Sequence, residues 1–142
     1  NDSRFLKEEG FEVTSIDCNP EVRKYLENPF ISTYEDFSFS VEYYNLVNAQ
    51  YALPFNPPGS FNLMFERLTK SLEQGGIFTG QFFGKEDSWS NNKDMTFHTE
   101  MEIRLLLSPY RIHILREEKR TGKTASGEDK FWHVFHVIAE KK

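Results

Sequence analysis

A carboxylate at the end of a short strand, followed at once by a helix cap, is the feature of this chain best placed to hold a ligand. Gly10 closes a preceding helix, Phe11 to Ile16 reads as a strand, and Asp17 ends it; in Cys18-Asn19-Pro20, Asn19 caps a helix whose first position is Pro20. In an open α/β sheet, an acidic residue at the end of the second strand is placed to bind a cofactor's ribose hydroxyls. Such a residue normally lies about 20 positions after a glycine-rich loop. Only 16 residues precede Asp17, so that loop is expected upstream of Asn1, and the chain reads as a cofactor-binding fold without its opening strand and loop. A plain turn or helix-cap role for Asp17 is the alternative.

Further groups with chemical potential follow in order. Glu35-Asp36-Phe37 comes after the next strand. Asn48-Ala49-Gln50-Tyr51 ends an apolar strand, where amides also serve simply to satisfy backbone. Phe83 to His98 is a loop after a buried strand, the place where binding residues concentrate. In it, Phe83 is a substrate-side candidate, Trp89 could close over the site, and His98 has the chemistry of a general base near neutral pH. His133 and His136 do not suggest a metal pair, because a three-residue spacing on a strand sends them to opposite faces.

These groups need a frame of alternating strands and helices. Asp2 to Glu9 reads as a helix stopped by Gly10, and Pro20 to Glu27 as a helix with Val22, Tyr25 and Leu26 on one face. Phe30 to Tyr34 and Tyr43 to Ala49 read as strands. Pro57-Pro58-Gly59-Ser60 opens a helix with Phe61, Met64, Phe65, Leu68 and Leu72 at helical spacing. Gly75-Gly76 precedes a strand from Ile77 to Phe83. Thr99 and Glu102 form a capping-box signature for a helix carrying Met101, Leu105 and Leu106. Tyr110 to Arg116 and Phe131 to Ala139 close the chain as strands flanking a polar loop, Glu117 to Lys130, compatible with an extended hairpin. The pattern implies a mostly parallel α/β sheet with an antiparallel strand near one edge.

With 142 residues, one domain with a sizeable core is expected; 14 Phe, 6 Tyr and 2 Trp supply its bulk. A net charge of −5 argues against a general nucleic-acid footprint. The basic residues from Arg116 to Lys123 are interleaved with Glu117 and Glu118, as on a solvated segment. The single cysteine, Cys18, fits a reducing compartment, and no apolar run reaches transmembrane length. A cytoplasmic protein that binds neither membrane nor nucleic acid is the expectation.

Strand–Asp17-Cys18-Asn19-Pro20–helix, Glu35-Asp36, the strand ending Asn48-Ala49-Gln50-Tyr51-Ala52-Leu53-Pro54-Phe55, the Gly75-Gly76 strand and the closing strand pair form an ordered series. In that order the chain resembles a class I S-adenosylmethionine-dependent methyltransferase, closest to the small bacterial tellurite-resistance-like branch. The resemblance spans nearly the whole chain but lacks the glycine-rich motif. It implies a Rossmann-like, seven-stranded sheet, its first strand absent here and its last strand antiparallel. It also implies S-adenosyl-L-methionine as cofactor. Asp17 would take the ribose hydroxyls, with Cys18 and Asn19 lining the adenosine side. Asp36 and Phe37 would flank the adenine, and Asn48, Ala49 and Gln50 would lie beneath the methionine and sulfonium. Tyr51 would face the substrate mouth, with Phe83, Trp89 and His98 towards the acceptor; Tyr51 and His98 are the catalytic candidates.

The resulting expectation is in-line methyl transfer to a small-molecule acceptor with no metal. Two rivals stand beside it. A non-catalytic methyltransferase-like interaction module would follow from the missing first strand. A nicotinamide-binding oxidoreductase domain would use Asp17 equally well, although the chain lacks a Tyr-x-x-x-Lys pattern. Asn56-Pro57-Pro58 is not the Asn-Pro-Pro-aromatic signature of amino-methylating DNA enzymes. It is displaced from the strand end, and Gly59 stands where an aromatic would stack a flipped base.

Overall fold

Residues 2–142 are described by the computed structural model. The chain divides into two compact units, Asn1–Ser38 and Phe39–Lys142.

In the first unit, α1 (Asp2–Glu8) ends as its sequence demands. Gly10 adopts φ +92°, letting its N–H and that of Phe11 bond back to the Lys7 and Leu6 carbonyls at 3.0 Å each. The strands β1 (Ile16–Asp17) and β2 (Phe30–Ile31) pair in parallel, each much shorter than the expected 11–16 and 30–34. Ladder bonds define a strand, and among the described residues these two have only each other; Phe11 lies outside both and is 47% exposed. The helix expected over 20–27 is a 3-10 helix, Pro20–Lys24, with the Asn19 side chain accepting from the Glu21 N–H. Asn28 at φ +48° and Pro29 end the segment, and Tyr25 turns out to solvent rather than inward.

In the second unit, β3 (Tyr44–Ala49) crosses through α2 (Pro58–Ser71) to β4 (Leu72–Gly84), with which it is parallel. β5 (Phe97–His98) also pairs parallel to β4. α3 (Glu100–Leu106) leads to β6 (Tyr110–Lys123), and β7 (Asp129–Lys141) inserts antiparallel between β4 and β6. The order β3-β4-β7-β6 gives the mixed α/β architecture with its antiparallel C-terminal strand.

β4 begins before the expected Ile77 because Gly75, at φ +79°, and a register shift between Tyr44 and Leu46 carry the ladder back to Leu72. The closing hairpin also runs further than expected, its turn confined to 124–128. Gly127 sits there at φ +88°, and Lys123 pairs with Asp129 across it at 2.8 Å. The basic residues of 116–123 therefore lie on a strand whose charges alternate in sign, an arrangement that discourages edge-to-edge pairing.

α2 packs one apolar stripe, Phe61, Met64, Phe65 and Leu68, against the sheet. Phe65 meets Phe78 and Phe82 edge-on at 5.6 and 5.7 Å. Period-two alternation sends Phe78, Gly80 and Phe82 towards α2 and Thr79, Gln81 and Phe83 to the opposite face. α3 has both bonds of the Thr99–Glu102 capping box. Its inward face is Ile103 and Leu107, however, whereas Met101 and Leu105, expected inside, are 73% and 69% exposed. No helix among the described residues is long and apolar enough to cross a membrane.

Candidate functional site

Candidate residues fall in both units. In the first, Asp17 is half-buried at the end of β1, and its Oδ1 accepts the Asn19 N–H at 2.8 Å. Asn19 and Cys18 are exposed beside it. A carboxylate has about four acceptor positions, so this one turn bond fixes Asp17 without exhausting it. Tyr34, which sequence reasoning did not single out, has its hydroxyl pKa raised by burial and by the charges of Asp17 and Cys18. Asp36 accepts the Thr33 hydroxyl at 2.8 Å and returns its own N–H to that oxygen at 3.1 Å. The Phe37 ring packs edge-on against Phe30 at 5.4 Å.

In the second unit, Asn48 and Ala49 end β3 opposite Thr79 and Gly80. A Cβ on Gly80 would stand 2.9 Å from the Ala49 carbonyl, so the two strands approach as closely as only glycine permits. Gln50 donates to the Thr79 hydroxyl at 3.3 Å and accepts from Gln81 Nε2. Gln81 Oε1 in turn accepts the Tyr51 N–H at 2.7 Å. This amide relay holds Tyr51 at φ +49°, a left-handed conformation costing a bulky residue about 1–3 kcal/mol. Strain of this kind persists where surrounding bonds enforce it, and here it delivers a 42%-exposed ring to the carboxyl end of β3.

That ring belongs to a cluster. Tyr51 lies 6.4 Å from Phe83 and 6.3 Å from Trp132. Phe55 lies 6.1 Å from Phe83 and 6.3 Å from Trp89. Phe83 is wholly buried, so it forms the floor, while Phe55 and Tyr51 present exposed faces. The Thr96 hydroxyl donates to the Asn56 carbonyl at 2.6 Å and its N–H to Pro54, fastening the 53–56 turn to the loop before β5.

His98 does not join this cluster. It is 7% exposed, on the α2 face of the sheet, with Phe61 at 4.7 Å and Phe82 at 5.3 Å. Burial lowers its pKa to about 4, and its Nδ1 is a buried atom without a hydrogen-bond partner. The candidate base is thus a packed core histidine rather than a group open to a ligand. His133 and His136 sit on opposite faces as their spacing requires. Each is engaged by its own carboxylate, Glu117 at 2.8 Å and Glu118 at 3.2 Å.

Sequence reasoning passed over Gln81, Asp87, Lys130 and Trp132. Only register identifies them: Trp132 stands beside Val134, which β7 sets against Phe83. Lys130 and Asp87 lie in stretches whose composition predicts polar loops, yet both side chains are buried and ion-paired.

Against known proteins, no family model matches this chain. No curated protein matches it either. Solved structures do. A methyltransferase described as S-adenosylmethionine-dependent, from Methanosarcina mazei, superimposes with a TM-score of 0.69 at 18% identity, over 98% of this chain and 86% of that one. TehB from Haemophilus influenzae gives 0.77 at 14% identity, over 99% of this chain and 53% of that one. The 1,6-didemethyltoxoflavin-N1-methyltransferase of Burkholderia thailandensis, solved with 1,6-didemethyltoxoflavin and S-adenosylhomocysteine, gives 0.68 at 15%, over 100% and 66%. The chain has the fold these enzymes share, and it spans about half the length of TehB.

Proposed function

We propose that this chain binds S-adenosyl-L-methionine and serves methyl transfer to a small molecule. The observation that carries the proposal is the strained Tyr51, held by the Gln50–Gln81 relay at the carboxyl end of β3, in a fold shared with methyltransferases. Ligands of open α/β sheets bind outside the carboxyl ends of the strands.

The residue chemistry suits the cofactor in three respects. Asp17 keeps acceptor capacity for ribose hydroxyls. Asp36 and Phe37 combine an acceptor with a ring, as an adenine requires. Asn48, Ala49 and Gln50 offer amide and carbonyl oxygens, and Tyr51 an aromatic face, to a cation. When bound, S-adenosylmethionine supplies a methyl group already activated on a sulfonium.

What remains for the protein is alignment. Tyr51, fixed at its backbone, presents a rigid ring, and Phe55 with Trp89 extends the aromatic wall on which an acceptor can lie. The buried Phe83 beneath them keeps water from that side. The acidic charge and the small aromatic wall favour a small acceptor over nucleic acid.

Calorimetric titration separates this reading from its rivals. Saturable one-site binding of S-adenosylhomocysteine, with none of NADH, is the expected result. Preference for NADH would establish the oxidoreductase reading, and binding of neither would favour an interaction module.

A further inference from the structure

The second unit holds a buried ion pair that the proposed methyl transfer does not use. Lys130, at the start of β7, has a side chain only 1% exposed, and that of Asp87, its ion-pair partner, is 0% exposed. Around the ammonium stand three ring faces, with Nζ 3.8 Å from the centroid of Trp132, 4.3 Å from Trp89 and 5.0 Å from Phe83. Asp87 is held by three donors: Oδ1 accepts Lys130 and the Trp89 N–H, at 3.0 Å for the latter, and Oδ2 accepts the His133 N–H at 3.1 Å. Desolvation presses the Lys130 pKa down and Asp87 presses it back up, leaving it lowered.

Three aromatic faces and one carboxylate are the elements of an ammonium-recognition cage. A buried pair of this kind is rarely the most stable solution, since apolar residues of equal volume often match or exceed it. Its advantage is in specifying geometry. Asp87 and Ser88 belong to the loop after β4, and Ser88 bonds Phe131 through both its N–H and its hydroxyl. The caged ammonium therefore joins that loop to the β7 end of the hairpin and fixes Trp89 against Trp132, 5.7 Å apart.

We infer that Phe83, Trp89, Trp132 and Asp87 form an alkylammonium-binding site whose resident ligand is Lys130 of the same chain. By occupying it, Lys130 positions the tryptophan wall beside Tyr51 and closes the cage to cationic ligands from outside. Only the wall's role towards an acceptor rests on the proposed methyl transfer; the cage itself can be tested without cofactor or activity.

The test uses Lys130→Ala, which removes the atoms that n-propylammonium replaces. Acrylamide quenching reports the accessibility of Trp89 and Trp132, the only tryptophans in the chain. The variant's tryptophans should become more accessible, and n-propylammonium should restore protection about thirty-fold more effectively than 1-propanol, as a desolvated cation–π site implies. Wild-type protein should be unaffected by n-propylammonium. Unchanged quenching in the variant, equal restoration by the two compounds, or a wild-type response equal to the variant's would overturn the inference. If Lys130→Ala does not fold, the paired variant Lys130→Met with Asp87→Asn decides. Native tryptophan protection there would mean that shape alone suffices and the ammonium is not the ligand; loosened tryptophans in a folded protein would support the cage.

Discussion

Acidification should weaken this fold through His98, and the amount follows from its burial. In the folded chain its pKa is lowered from 6.5 to about 4, whereas the unfolded chain takes up the proton near 6.5. Between those values the unfolded state binds more protons, so stability is complete above the unfolded value and is lost as pH falls towards the folded one. The full window is worth about 3 kcal/mol, of which about 2 kcal/mol is lost on going from pH ~7.5 to ~5. The side chain is almost completely buried between Phe61 and Phe82, so solvent screening reduces this little. Glu66, Glu86, Glu102 and Glu118 also have lowered pKa values. Their contributions fade mainly below the chosen range, and they are common to wild type and variant. The experiment is urea denaturation of wild type and His98→Gln at both pH values. The variant should lose about 2 kcal/mol less than wild type across the interval, whatever its cost in packing. Equal losses in the two proteins would refute the reasoning, because His98 would then be taking up its proton in the folded state.

Three further perturbations probe the frame around the candidate site. A methyl group on Gly84 would meet the His133 ring at 2.2 Å from Nδ1, and that ring is tied to Glu86 and Glu117. Gly84→Ala should therefore cost about 1–3 kcal/mol in denaturant unfolding, with part recovered by adding His133→Ala. Leu107→Ala should cost about 2–5 kcal/mol and Leu105→Ala within about 0.5 kcal/mol by the same measurement, which separates the observed inward face of α3 from the expected one. Gln81→Leu leaves the Tyr51 N–H and Gln50 Oε1 without their Gln81 partners; it should destabilise by about 1–3 kcal/mol and lower S-adenosylhomocysteine affinity in calorimetry.

Local signals in the sequence were legible where local bonds decide the structure. Gly10 ends α1, Asn19 caps the turn after Asp17, and Thr99 with Glu102 starts α3, each through contacts within about four residues. The apolar stripe of α2 was legible because a long helix repeats its pattern enough to fix a face. α3 has only 7 residues, so Met101–Leu105 and Ile103–Leu107 are competing stripes of equal quality, and packing against the sheet chose the second. The strands expected over 11–16 and 30–34 are only Ile16–Asp17 and Phe30–Ile31, because extended backbone becomes a strand only through a neighbour, which sequence does not display. The same limit hid the candidate site's wall. Nothing local marks Lys130 as buried; it lies 43 positions from Asp87 and meets it only through the β7–loop pairing. Phe82 and Phe83 differ by one position yet face opposite sides, so His98 and Trp89, read together as one loop's chemistry, are divided by the sheet.

The measurement that bears most directly on the central proposal is the amide chemical-shift map of the chain as S-adenosylhomocysteine is added. The account predicts progressive, saturable shifts at Asp17 to Asn19, at Asp36 and Phe37, and at Asn48 to Tyr51, with the hairpin tip from Gly122 to Asp129 unmoved. Saturable shifts confined to other residues, or no shifts at ligand concentrations that saturate related enzymes, would contradict it.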